Sequence, residues 1–302
     1  MNPQINRQWV FCVGVLLQIG CLGGWSRLPG QSGSLSQEFT QRDYEKHVSA
    51  LRKKIDRLLP DTRFHIRLQR PFVVIGDESA EQVRNRSVGI VKWAVDRLKK
   101  DYFPKDPKHI INIWLFRNKT SYEKQCQKLF GFRPTTPYGF YSSANRALIM
   151  NISTGGGTLV HEIVHPFIEA NFPACPSWFN EGLASLYEQC EDQEGSIMGL
   201  TNWRLRGLQI HIRDGKVPSF KKLCSTSRYE FYQEDPGTHY SQARYLCYYL
   251  QEKKKLRLFY REFVKSVDRD PTGLETLSRV LGETDMDGFQ QHWEKFVMQL
   301  RF

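Results

Sequence analysis

An α+β fold is predicted for this chain, and three observations predict it. Short apolar runs of strand length alternate with helical periodicities up to about residue 155. Beyond Glu181 the periodicity is helical almost throughout. Between the two stretches a glycine run, Gly155-Gly156-Gly157, precedes a short helix dense in histidine and glutamate. Strands and helices segregated along a chain point to α+β rather than to a regular βαβ array. The expected architecture is a small mixed sheet, one helix that carries the chemistry, and a helical C-terminal half.

The elements follow in order. Residues 1–26 place Arg7 ahead of an apolar run, Trp9 to Gly20, and a small-residue end, Cys21 to Ser26. This is the pattern of a secretory signal peptide. An uncleaved membrane anchor, or lipid attachment at Cys21, remains an alternative; Gly20 suits lipidation, but Gln18 stands where such signals usually carry Leu. Residues 27–42 are rich in Gly and Ser and read as a linker, leaving 43–302 as the folded domain. Val48, Leu51, Ile55 and Leu58 recur at helical spacing up to Pro60. Residues 64–68 and 72–75 read as strands, 80–102 as one long helix, 110–116 as a strand and 121–130 as a helix. Strands at 138–141 and 147–152 flank a turn, Ser142–Arg146, and the second is expected to be an edge strand open to an extended peptide. Helices are expected at 202–213, 239–254, 256–268, 272–281 and 286–300.

Composition narrows the class. With 302 residues, 40% hydrophobic and 13% aromatic, the chain can bury a real core. Its net charge of +11 is spread over several amphipathic helices, Arg52-Lys53-Lys54 and Lys253-Lys254-Lys255 among them. That distribution reads as solvated faces rather than a nucleic-acid surface. An exported chain can hold disulfides, and Cys175–Cys190 is the first pair to expect. No C-x-x-C suggests a structural zinc site.

His161-Glu162-Ile163-Val164-His165 is H-E-x-x-H. Residues four apart share a helix face, so both imidazoles can reach one ion at ~2.0–2.1 Å. Glu162 then contacts a metal-activated water instead of the metal and serves as general base. Catalytic zinc normally has three protein ligands and an open position. Glu181, in Trp178-Phe179-Asn180-Glu181-Gly182-Leu183-Ala184, is the candidate third ligand: a turn with Pro173 and Pro176 returns it over the first helix.

The pairing of H-E-x-x-H with W-x-N-E-G-x-A resembles the gluzincin branch of zinc metallopeptidases, the peptidase MA superfamily. The spacing to Glu181 is similar to that of small bacterial peptidase-MA-like domains, and the resemblance covers roughly residues 105–300. It implies a zincin-like fold, Zn2+ held by His161, His165 and Glu181, and Glu162 as base. Tyr240 and His239 are candidate oxyanion donors, and the resemblance favours Tyr240. Two departures stand out. Pro166 removes a helical hydrogen bond to the Glu162 carbonyl. Ser185 occupies the place where thermolysin-like relatives carry an acidic residue that orients a histidine, so that support is expected from Glu188 or a backbone carbonyl. Arg244 reads as a binder of a substrate carboxylate or, more simply, of a structural acid; His65 and His109 read as structural.

The function expected is zinc-dependent hydrolysis of peptide bonds in a peptide or protein substrate. The chain is expected to be exported to the periplasm or cell envelope, with possible membrane attachment through its N-terminus and no nucleic-acid partner. The alternative is a catalytically inactive binding or scaffold protein that keeps a peptidase fold.

Overall fold

The computed structural model describes residues 38–302. The expected signal or anchor, with Cys12 and Cys21, and the linker up to residue 37 lie outside the described residues. Helix α1 (Gln41–Leu58) starts inside the segment expected as linker. The cause is a reciprocal cap: Thr40 Oγ1 accepts from Asp43 N, and the Asp43 carboxylate accepts the Thr40 N–H at 2.8 Å.

Five strands, β1 (His65–Gln69), β2 (Phe72–Gly76), β3 (Ile111–Phe116), β4 (Gly139–Ser142) and β5 (Ala147–Asn151), form one sheet in the order β1-β2-β3-β5-β4. The three inner strands run parallel and the outer strands pair antiparallel, so the sheet is mixed as expected. The expectation of an edge strand at 147–152 is overturned: β5 pairs with β3 on one side and β4 on the other. Arg146, with φ 48°, turns the chain sharply enough for β4 to fold onto the outer side of β5. All five β5 residues are buried, as an interior strand requires. On this side the sheet ends at β4.

Both faces of the inner strands are covered. Val73, Ile75, Trp114, Phe116 and Ile149 face an outer core with α1 and α4 (Lys119–Phe130). Phe72, Val74, Ile113, Leu115, Leu148 and Met150 face the larger core, where α5 (Gly156–Asn171) packs. The single helix expected over 80–102 consists of α2 (Ala80–Arg86), a π-helical stretch (Ser87–Lys92) and α3 (Trp93–Asp101).

The second half comprises α6 (Ser177–Leu186), α7 (Arg204–Arg213), α8 (Phe220–Cys224), α9 (Arg228–Gln233), α10 (Pro236–Glu252), α11 (Leu256–Ser266), α12 (Leu274–Leu281) and α13 (Met286–Gln299). It is not wholly helical. A hairpin of β6 (Cys190–Gln193) and β7 (Ser196–Gly199) follows α6. Its two-residue turn needs positive φ twice, at Glu194 (53°) and Gly195 (74°). Glutamate at the first of these hides the turn from a reading that looks for Asn-Gly or Asp-Gly.

The expected Cys175–Cys190 disulfide is absent; both thiols are free. The two cysteines stand beyond opposite ends of α6, whose 10 residues span ~15 Å. Bridging needs Cα atoms within about 7 Å. Among the described residues no helix is long and apolar enough to cross a membrane.

Candidate metal centre

The helix that carries H-E-x-x-H begins at a glycine and starts close to the end of α6. Gly155 precedes α5 at φ 113°, a backbone conformation that costs glycine little. A Cβ at Gly157 would lie 2.0 Å from the Glu188 carbonyl oxygen. Glycine there lets α5 touch the segment after α6, which brings Glu188 alongside His161. Pro166 is accommodated within α5, which continues to Asn171.

His161 and His165 project from one face, their ring centroids 4.9 Å apart. Helix α6 brings Glu181 to them. Its Oε2 lies 3.3 Å from His161 Nε2 and 3.9 Å from His165 Nε2. One ligand atom from each of the three residues falls within 4.8 Å of the others. Four-coordinate bonds of ~2.0–2.1 Å place neighbouring ligand atoms roughly 3.3 Å apart, so the spacing suits one divalent ion. Glu181 Oε2 is also a buried acceptor with no hydrogen-bond donor. A buried carboxylate oxygen left this way carries a large desolvation cost unless a cation meets it. Both observations fit a metal site.

Each ligand is held from behind. Asn180 Oδ1 lies 2.9 Å from His165 Nδ1, which keeps the proton on Nδ1 and the lone pair on Nε2. Glu188 Oε1 lies 3.3 Å from His161 Nδ1. Arg204 grips the Glu188 carboxylate with two bonds, at 2.9 and 2.7 Å, and Asn202 Nδ2 adds a third at 3.1 Å. Tyr232 Oη donates to Glu181 Oε1 at 2.6 Å. Ser185 contributes nothing to the histidines; its hydroxyl turns back to the Glu181 carbonyl.

The electrostatics follow from burial and these partners. Burial alone would lower the His161 imidazole, but the Glu181 and Glu188 carboxylates outweigh it and hold it up to about 10 without a metal. Burial raises Glu181, and the two histidines overcome it, holding the carboxyl down to about 2. Glu188 is likewise raised by burial and lowered further by Arg204, well below the usual carboxylate range. Glu162 differs: burial outweighs its neighbours and lifts it above its ordinary value. A lifted carboxylate holds a proton more readily than a free one, as a group that takes and returns a proton must.

Glu162 Oε2 lies 3.8 Å from His165 Nε2 and accepts the Tyr141 N–H of β4 at 2.8 Å. The ladder explains this contact. Asn151 N donates to Tyr138 O at 2.8 Å, so Tyr138, Phe140 and Ser142 turn their backbone groups toward β5. Gly139 and Tyr141 then turn theirs outward, toward α5. The Tyr141 hydroxyl adds a second tie, 2.8 Å from Glu169 Oε2 on the same helix.

Of the sequence candidates, His161, Glu162, His165 and Glu181 come together. Tyr240 packs beside them: Arg204 lies over its ring at 5.2 Å, and the Glu181 charge helps burial raise its hydroxyl. His239 places its Nδ1 3.2 Å from the Phe231 carbonyl and stacks on the Phe231 ring. Arg244 forms no ion pair among the described residues; it is fully buried and donates to the Leu186 and Leu200 carbonyls. His65 and His109 lie outside the ligand group. Sequence reasoning missed Asn180, Arg204 and Tyr232. Asn180 was visible as the neighbour of Glu181; Tyr232 sits on a short helix that had no periodic signal.

No protein-family model matches the chain, and no curated protein matches it.

Proposed function

We propose that the chain is a zinc-dependent peptide-bond hydrolase of zincin-like fold, acting on an extended segment of a peptide or protein. The observation that carries this reading is the pairing of an orphaned Glu181 oxygen, facing two imidazole nitrogens, with a second buried carboxylate, Glu162, beside them and outside the ligand group. A site built only to hold an ion has no use for Glu162.

His161, His165 and Glu181 would hold the ion. When bound, zinc supplies a Lewis acid that acidifies water and polarises a carbonyl. Glu162 takes the proton of the attacking water and returns it to the departing amine nitrogen. Tyr240 is the donor proposed for the developing oxyanion. The outward Gly139 backbone groups and the Tyr141 carbonyl offer an extended substrate main-chain hydrogen bonds along β4, the Tyr141 N–H being taken by Glu162. Such binding aligns a peptide across α5 with little demand on its side chains. The apolar run from Trp9 supports an exported protein of the periplasm or cell envelope, and makes nucleic acid an unsuitable partner.

The test is metal analysis of the purified chain followed by cleavage of a peptide library. One equivalent of zinc is expected, with cleavage abolished by a chelator and restored by zinc. Glu162→Gln should keep the zinc and lose about 10²–10⁴-fold in rate. Full activity in that variant, or a chain that takes up no metal, overturns the reading. Zinc retained without cleavage of any library member favours the binding or scaffold alternative.

A further inference from the structure

We propose that Tyr232 restricts Glu181 to a single ligating oxygen and so keeps a coordination position open for the reaction; the inference rests on the metal reading above. A carboxylate can approach a divalent ion through one oxygen or both. If Glu181 used both, the second oxygen would become a fifth neighbour and crowd the position that water and substrate need.

The two oxygens of Glu181 have different surroundings. Oε1 accepts the Tyr232 hydroxyl at 2.6 Å, the length of a strong bond to an ionised acceptor. Oε2 has no donor and faces the two imidazoles. The hydroxyl thus engages one oxygen and leaves the other for an ion. Tyr232 is itself fixed. Its ring lies edge-on to Phe231 at 5.4 Å and Tyr240 at 6.3 Å, and the Arg228 guanidinium covers it at 5.7 Å. The tyrosine therefore ties α9 to the helix that carries the ligand.

Tyr240 makes a natural control. Its ring neighbours the same carboxylate, but its hydroxyl forms no hydrogen bond to Glu181 among the described residues. In this division of labour Tyr232 is a positioning residue that acts through Glu181, whereas Tyr240 addresses the substrate.

Cobalt(II) in place of zinc reports coordination number through its visible absorption, which is intense for four ligands and weak for five or six. The full-length chain would be loaded with cobalt and compared with Tyr232→Phe and Tyr240→Phe. Tyr232→Phe should keep one equivalent of cobalt and lose roughly half or more of the visible band, as the second Glu181 oxygen joins the ion as a fifth neighbour. X-ray absorption of the zinc-loaded variant should show an added oxygen neighbour. Its kcat should fall more than its KM rises. Tyr240→Phe should leave the band unchanged. Far-UV circular dichroism checks folding, and Tyr232→Leu, which removes the hydroxyl with different packing, should show the same loss. An unaltered band in folded Tyr232→Phe, or an equal loss in Tyr240→Phe, overturns the inference alone. A wild-type chain that binds no cobalt or zinc overturns the metal reading beneath it.

Discussion

The two faces of the central sheet solve different problems with the same strands. On the outer face, α1 and α4 close over Val73, Ile75, Trp114 and Ile149 to make an apolar core. On the inner face the apolar core surrounds a cluster of charge: His161, Glu162 and Glu181 are buried, and the Glu188 and Arg204 side chains are mostly so. Burial of apolar side chains stabilises both faces at about 25 cal/mol per Å². Burial of ions opposes folding by several kcal/mol each unless their partners are well placed. The outer face is therefore a structure that holds itself together. The inner face holds something the fold alone does not need, and buried groups with shifted proton affinity mark such places.

The difference can be broken most forcefully at Arg204. Arg204→Ala removes two charge-assisted bonds to Glu188 and leaves that carboxylate buried beside His161. We expect a loss of about 3–5 kcal/mol in urea unfolding, with metal affinity reduced as well. The double variant Arg204→Met, Glu188→Gln should recover most of the stability without the affinity, because the uncompensated charge is gone but His161 is no longer oriented. A double variant as unstable as the single one would mean that packing, not charge, is what Arg204 supplies.

The outer face should respond in the opposite sense. Leu51 of α1 is 6% exposed and belongs to the outer core. Leu51→Ala should cost about 2–5 kcal/mol through lost burial and a partly collapsed cavity. Metal affinity, measured by competition with a chromophoric chelator, should stay as it is. A fall in affinity would show that the faces are coupled through the sheet and would erase the contrast.

The same contrast decided what could be read from the sequence. The strands were legible because both faces bury apolar residues, which gives unbroken runs such as Phe72-Val73-Val74-Ile75. The candidate ligands were legible because a helix repeats every 3.6 residues and places His161 and His165 on one face. The edge of the sheet was not, since nothing local to Ala147–Asn151 says on which side a hairpin partner will lie. Tyr232 and Arg204 were hidden for a related reason. They reach the centre from elements 51 and 16 residues away from the groups they hold, and a lone tyrosine or arginine carries no spacing that announces its target. The β6–β7 hairpin escaped through its Glu194-Gly195 turn. The disulfide guess failed because proximity in sequence ignored the rise of α6 between the two cysteines.

Asn180 offers the finest division between holding the fold and holding the ion. It sits one residue before Glu181 on α6 and orients His165 through a 2.9 Å contact to Nδ1. It carries no charge, so its removal strands no ion in the core, unlike the loss of Arg204. Asn180→Ala should therefore leave unfolding stability in the absence of metal changed by no more than about 1 kcal/mol. Metal affinity should fall about 10–100-fold, because the imidazole loses both its tautomer preference and its orientation. Asn180→Asp sharpens the point: a carboxylate restores the acceptor and strengthens the ligand's basicity, so affinity should return toward or above the original. If Asn180→Ala lowers stability and affinity in the same proportion, the residue belongs with the packing, and the ion is held by His161, His165 and Glu181 without its help.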